Sequence, residues 1–402
     1  MKHEIKQVWV IIITIRFERE KGDNMNVKAA LKKEGITNIR QLDILSINQL
    51  AKDISHKLYQ HFCEHNINES DLFISISRLQ MYYAQMPEDS SVAKYFYKNQ
   101  SVYFNDKFSI DEIEEFATHE CIHYLQEIKD EKNNLVRLGL YEVAEGADRG
   151  MALNEAAVQL MAAKANDVSV DKVKYYDLFL ATESPEYYPL ECALVKEMMY
   201  FTGEYPLYHS TLYSDDVFKN TFSAKFGKRA YFKIERNVNE ILNLEGLFNN
   251  LTNELKETNR PRKAKQINLL MDQCKEKIAS IFIETQDFMI EMGFGYEFDE
   301  IRTMNDLKNF KTRIYNFKDL IGYTADYDFY NKYYIKKMEA LAAKKEYIEK
   351  NGAIKKNENQ ENLALVEQKP KKVSVFKRVL MKLGILVDMN EAEKVWQKEE
   401  HK

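Results

Sequence analysis

His119-Glu120-Cys121-Ile122-His123 decides the reading of this chain, together with Ala152-Leu153-Asn154-Glu155-Ala156-Ala157, whose Glu155 follows His123 by thirty-two positions. Two His at i and i+4 lie one helical turn apart on one face, so both imidazoles can reach one zinc ion. Glu120, between them, faces the same ion without needing to bind it and can take a proton from a water there. Glu155, on a second helix, supplies a third protein ligand. That set leaves the fourth zinc position open, as catalytic rather than structural zinc sites do.

The local setting argues for buried helices at both places. Ser109 followed by Glu112 reads as a capping box, and Asp111 and Glu112 suit the positive end of the helix dipole. Ile110, Ile113, Phe116, Ala117, Ile122 and Leu125 clothe the first helix in apolar groups. Met151, Leu153, Val158, Leu160, Met161 and the intervening alanines do the same around Glu155. A carboxylate in such a helix needs a partner, and a metal ion serves. Cys121, inside the motif, reads as a small buried hydrophobe and not as a ligand.

The rest of the composition narrows the classes. Of 402 residues, 45% are hydrophobic, and 13 Gly and 6 Pro are few enough to expect a mostly helical protein with room for two domains. A net charge of −5 gives no footprint for nucleic acid. Cys63, Cys121, Cys192 and Cys274 form no CxxC pair, which points to a reducing, cytoplasmic setting. Lys-, Asn- and Ile-rich composition suggests an AT-rich bacterial genome. The apolar run from Val8 to Ile15 is too short to span a membrane. Residues 1–24 are expected to be a non-native extension with translation starting at Met25, because Lys21-Gly22-Asp23-Asn24 can encode a ribosome-binding site before that methionine.

Along the chain, residues 27–66 read as two helices, capped at Thr37 or Asn38, and 70–85 as a helical continuation. Tyr95-Phe96-Tyr97 and Val102-Tyr103-Phe104 read as a hairpin. A short strand is expected near 136–143, then helices near 171–181, 189–202 and 215–226, with Gly203 as a C-cap. Two long helical patterns at 229–258 and 262–290, split by Asn259-Arg260-Pro261, suit a helical hairpin, and further helices are expected at 304–321 and 327–350. The domains read as 25–228 and 229–350, followed by a polar linker at 351–373 and a basic amphipathic helix at 374–402. That tail is expected to dock on protein, with an anionic membrane surface as the alternative. His61, Cys63 and His65 have ligand-like spacing but no fourth partner.

Over about residues 70–226 the chain resembles the zincins, and among them the gluzincins, in which HExxH is followed on the next helix by a Glu ligand. It is also similar to bacterial metallopeptidase-like proteins sharing an HExxHxLQ string, here His119 to Gln126. The resemblance implies an α+β fold, predominantly helical, with a zincin-like core and a small antiparallel sheet packed on the zinc helix, to which the helical periodicity beyond residue 228 adds an all-α C-terminal region. It implies one zinc on His119, His123 and Glu155, Glu120 as general base, and a peptide or protein substrate. That peptide would lie along the hairpin edge, touching Tyr103 and Phe104. A downstream Tyr or His would stabilise the oxyanion, with Tyr188 the first candidate and His209 the second. Asn154 and Gln159 flank the ligand Glu as supporting groups. Thermolysin-like members carry an Asp at the place of Gln159, whose amide can still accept a bond from an imidazole but supplies no charge.

Two readings follow. One is a zinc metallopeptidase, the other a non-catalytic or regulated scaffold on a zincin fold, acting through its helical hairpin and tail. Glu120 favours the enzyme, since a structural zinc has no use for a general base.

Overall fold

The computed structural model describes residues 27–87, 92–132, 134–144 and 147–354. The expectations for residues 1–24, for the linker beyond 354 and for the tail helix lie outside the described residues.

In chain order come α1 (Val27–Lys33), β1 (Thr37–Gln41), α2 (Ile44–Phe62), α3 (Glu69–Ser77), β2 (Gln80–Gln85), β3 (Ala93–Phe96), β4 (Ser101–Asn105) and α4 (Ile110–Leu125). Four short strands follow, β5 (Glu127–Lys129), β6 (Leu135–Leu138), β7 (Tyr141–Ala144) and β8 (Ala147–Arg149). They lead into α5 (Met151–Ala165), the hairpin β9 (Asp171–Tyr175) and β10 (Leu178–Thr182), α6 (Pro189–Thr202), α7 (Glu204–Tyr213) and α8 (Val217–Phe226). The described chain closes with α9 (Lys228–Glu257), α10 (Pro261–Asp299), α11 (Met304–Phe317) and α12 (Ile335–Asn351). The protein is mostly helical with small sheets, in agreement with the α+β expectation.

The first sheet runs β1-β2-β4-β3. It is mixed and not wholly antiparallel: β2 and β4 are parallel, with Tyr82 beside Tyr103, while β3 and β4 form the expected hairpin. Alternate side chains of β4 serve two cores. Val102 and Phe104 enter the main core with Ile113, Ala117 and Cys121 of α4. Tyr103 points to the other face, into a small cluster with Ala30, Leu31, Ile36 and Met86. The second sheet is a meander, β5-β6-β7-β8, connecting α4 to α5.

Helix α5 is central, touched by α2, α4, α6, α7 and α9. Thirteen of its 15 residues are buried, which follows from an apolar surface on all sides and from alanines that let neighbours approach closely. It starts at Gly150, whose φ of +81° only glycine holds without strain, and a Cβ there would lie 2.3 Å from the Leu140 carbonyl oxygen.

Several expected elements differ. Asp43, and neither Thr37 nor Asn38, caps the second helix, with its carboxylate accepting the N–H groups of Leu45 and Ser46 at 3.0 Å. The stretch 70–85 divides into α3 and β2. Residues 171–182 are a hairpin in place of a helix, closed by Tyr176 and Asp177 at φ +47° and +64°. Helix α7 begins at the same Gly203 that ends α6.

Candidate metal centre

Helix α4 starts as its sequence requires: the Glu112 carboxylate accepts the Ser109 backbone N–H at 2.8 Å and its hydroxyl at 2.7 Å. Three turns later His119 and His123 face α5, where Glu155 meets them. The Nε2 atoms of the two imidazoles are 3.0 Å apart. Glu155 Oε2 lies 3.6 Å from Nε2 of His119 and 3.4 Å from Nε2 of His123. A tetrahedral ion with bonds of about 2.0–2.1 Å holds its ligand atoms roughly 3.3–3.4 Å apart. The three edges of this triangle therefore have the size that one such ion spans. Among the described residues this is the group of three or more His, Cys, Asp or Glu whose donor atoms converge.

The donor set also fits a cation chemically. Glu155 Oε2 is buried and has no hydrogen-bond partner, although a buried carboxylate oxygen ordinarily has one. Burial would push the Glu155 carboxyl up, but the nearby imidazoles of His123 and His119 hold it well below the usual carboxylate range. Burial pulls the His123 imidazole down, and the carboxylates of Glu155 and Glu120 more than offset that, so it ends above the usual imidazole value. The three side chains are 12%, 5% and 9% exposed, in the order His119, His123, Glu155, so the site is nearly enclosed.

Supporting contacts fix each group. Nδ1 of His119 donates to Gln159 Oε1 at 2.8 Å, one turn along α5 from Glu155, which leaves Nε2 with its lone pair toward the triangle. Glu120 is buried, and its Oε2 accepts the backbone N–H of Tyr95 on the outer strand β3 at 2.7 Å. Asn154 contributes one layer away: its Oδ1 accepts the Leu140 N–H at 3.0 Å and lies 3.4 Å from Gln126 Nε2, tying α5 to the end of α4.

Tyr188 stands beside the centre, its ring stacked on His119 at 6.5 Å between centroids and 18° between planes. It caps α6 with a φ of +52°, a left-handed conformation that a bulky side chain adopts only when its surroundings enforce it. Burial, then the charges of Glu155 and Glu120, keep its phenol protonated. The other expected residues lie elsewhere. His209 packs between Tyr205 and Tyr213, with Nε2 3.2 Å from Asp215. Tyr103 and Phe104 are core side chains on opposite faces of their sheet, so neither offers a substrate-binding surface. His61, Cys63 and His65 diverge where α2 gives way to a 3-10 turn: Cys63 is exposed, His61 approaches Asp167 at 3.5 Å, and His65 stacks on Tyr205. Burial pushes the Cys121 thiol up, as for an inert core thiol.

Two groups at the centre escaped the sequence reading. Tyr95 acts through its backbone N–H, which no side-chain pattern reveals. The Tyr187 hydroxyl is buried without a partner, and its phenol is raised by burial and by Glu186, Glu115 and Glu120. The adjacent Tyr187-Tyr188 pair was its available signal.

Comparisons with protein-family models, with curated proteins and with solved structures return no match. Among the described residues no helix is long and apolar enough to cross a membrane.

Proposed function

We propose that this chain is a zinc-dependent hydrolase of peptide bonds, with His119, His123 and Glu155 holding the metal and Glu120 as general base. The observation that carries the reading is the unpartnered Glu155 Oε2, buried within 3.6 Å of two imidazole nitrogens. Bound zinc supplies a Lewis acid that acidifies water and polarises a carbonyl. The chain's own groups do the rest. Gln159 holds the His119 tautomer. The Tyr95 N–H takes one oxygen of Glu120, and the carboxylate accepts a proton through the other. Tyr188, protonated and stacked on His119, donates to the carbonyl oxygen as charge develops. A peptide or protein is the substrate class, and four unpaired cysteines accord with work in the cytoplasm.

Glu120→Gln tests the proposal against a scaffold role. The variant keeps its metal and loses hydrolysis of a peptide library. A variant as active as the wild type removes Glu120 from the chemistry, and a metal-loaded wild type that hydrolyses no member of the library leaves a binding role for the site.

A further inference from the structure

Away from the triad, two acids from helices that pack together act on each other inside the protein. Glu191 lies in the first turn of α6 and Glu245 midway along α9, and both are fully buried. None of their four carboxyl oxygens reaches solvent, and none accepts a hydrogen bond from a donor among the described residues. Two ionised carboxylates have no bond to offer each other. A proton on either one creates a donor, and the pair then satisfies itself.

The surroundings supply no other counterpart. Tyr175 and Tyr176 face the pair from the end of β9 and the turn after it, Tyr188 from the cap of α6 and Cys192 from α6 itself. None of these carries positive charge. Helices α5 and α10 also pack on α6, yet no titratable group of theirs, and no Lys, Arg or His among the described residues, acts on either carboxyl. Burial pushes Glu191 up to about 7, and burial with the Glu191 charge pushes Glu245 well above the carboxyl range. The turn that holds Glu191 also holds Tyr188, whose left-handed backbone needs enforcement from its neighbours.

We propose that Glu191 and Glu245 form a proton-held latch between α6 and α9: a shared proton closes it, and loss of that proton to bulk water releases the N-terminal turn of α6 that carries Tyr188 against the metal centre. The latch does not depend on the metallopeptidase reading, because its effect is on the backbone.

Hydrogen exchange of the amides of residues 187–194 in the full chain, expressed as protection factors between about pH 6 and pH 9, tests it. Wild-type protection falls as the pH rises, approaching tenfold per unit above the latch midpoint, as the loss of one proton dictates. In Glu191→Gln a permanent amide donor replaces the proton, and protection becomes independent of pH; Glu245→Gln does the same from the other helix. The wild-type slope is unchanged by a chelator. A flat wild-type profile, or the same slope in a folded variant, overturns the latch. Loss of protection at pH 6 on adding the chelator to Glu155→Ala, which lacks the triad's carboxylate ligand, overturns it as well, since a cation rather than a proton would then join the pair.

Discussion

Gln159 Oε1 accepts the Nδ1–H of His119 at 2.8 Å, joining the two helices that contribute the three converging donors. The bond places the His119 proton on the side away from Glu155. Gln159→Leu removes the acceptor while keeping the side chain's bulk. Zinc affinity is expected to fall about 10- to 100-fold, the usual cost of losing a group that orients a ligand. Competition with a chromophoric chelator measures it; an unchanged affinity would show that the imidazole is oriented without the amide.

Metal and proton compete for His123. In the metal-free protein its imidazole titrates above the ordinary value because Glu155 and Glu120 outweigh burial. The sign follows from linkage. The imidazolium pairing stabilises the metal-free fold fully below about pH 6.5 and ceases to do so as pH rises through the raised value. Zinc must displace that proton, so the gain in Tm on adding zinc is expected to shrink as pH falls from about 8 to about 6. A zinc-induced gain that stays constant over that range would place the metal away from His123.

Tyr188→Phe deletes one hydroxyl and leaves the ring stacked on His119. As a donor to developing oxyanion charge, that hydroxyl is worth about 10²- to 10³-fold in kcat, with little change in KM or metal content. Equal kcat in the variant would return Tyr188 to a packing role.

Gly150→Ala places a methyl group 2.3 Å from the Leu140 carbonyl oxygen, in a backbone conformation with φ +81°. A loss of roughly 1–3 kcal/mol is expected from strain and overpacking at the start of α5. Urea unfolding reads it directly, and wild-type stability in the variant would mean that the helix start relaxes freely.

Where the sequence was readable, one local signal had one interpretation. The Ser109–Glu112 box and the apolar dress of α4 and α5 set two helices in place, and their His and Glu side chains converge. The long helices from residue 228 follow from unbroken periodicity ended at Pro261. The failures are physical as well. The aromatic run of β2 has no period that separates strand from helix, and its partner β4 lies twenty-one residues on. The β9–β10 turn takes positive φ at Tyr176 and Asp177 without glycine or asparagine to announce it. Gly203 serves two helices at once, so its reading as a stop hid the start of α7. The resemblance sets Tyr103 and Phe104 along a sheet edge, but alternation within a strand tells neither that β4 lies between β2 and β3 nor that both of its faces are covered.

The proposed function requires Glu155 to share one ion with His119 and His123. Metal content per chain, determined on purified wild type beside Glu155→Ala, tests it most directly. About one zinc per wild-type chain and almost none in the variant is the expected result. Equal metal in the two proteins would contradict it.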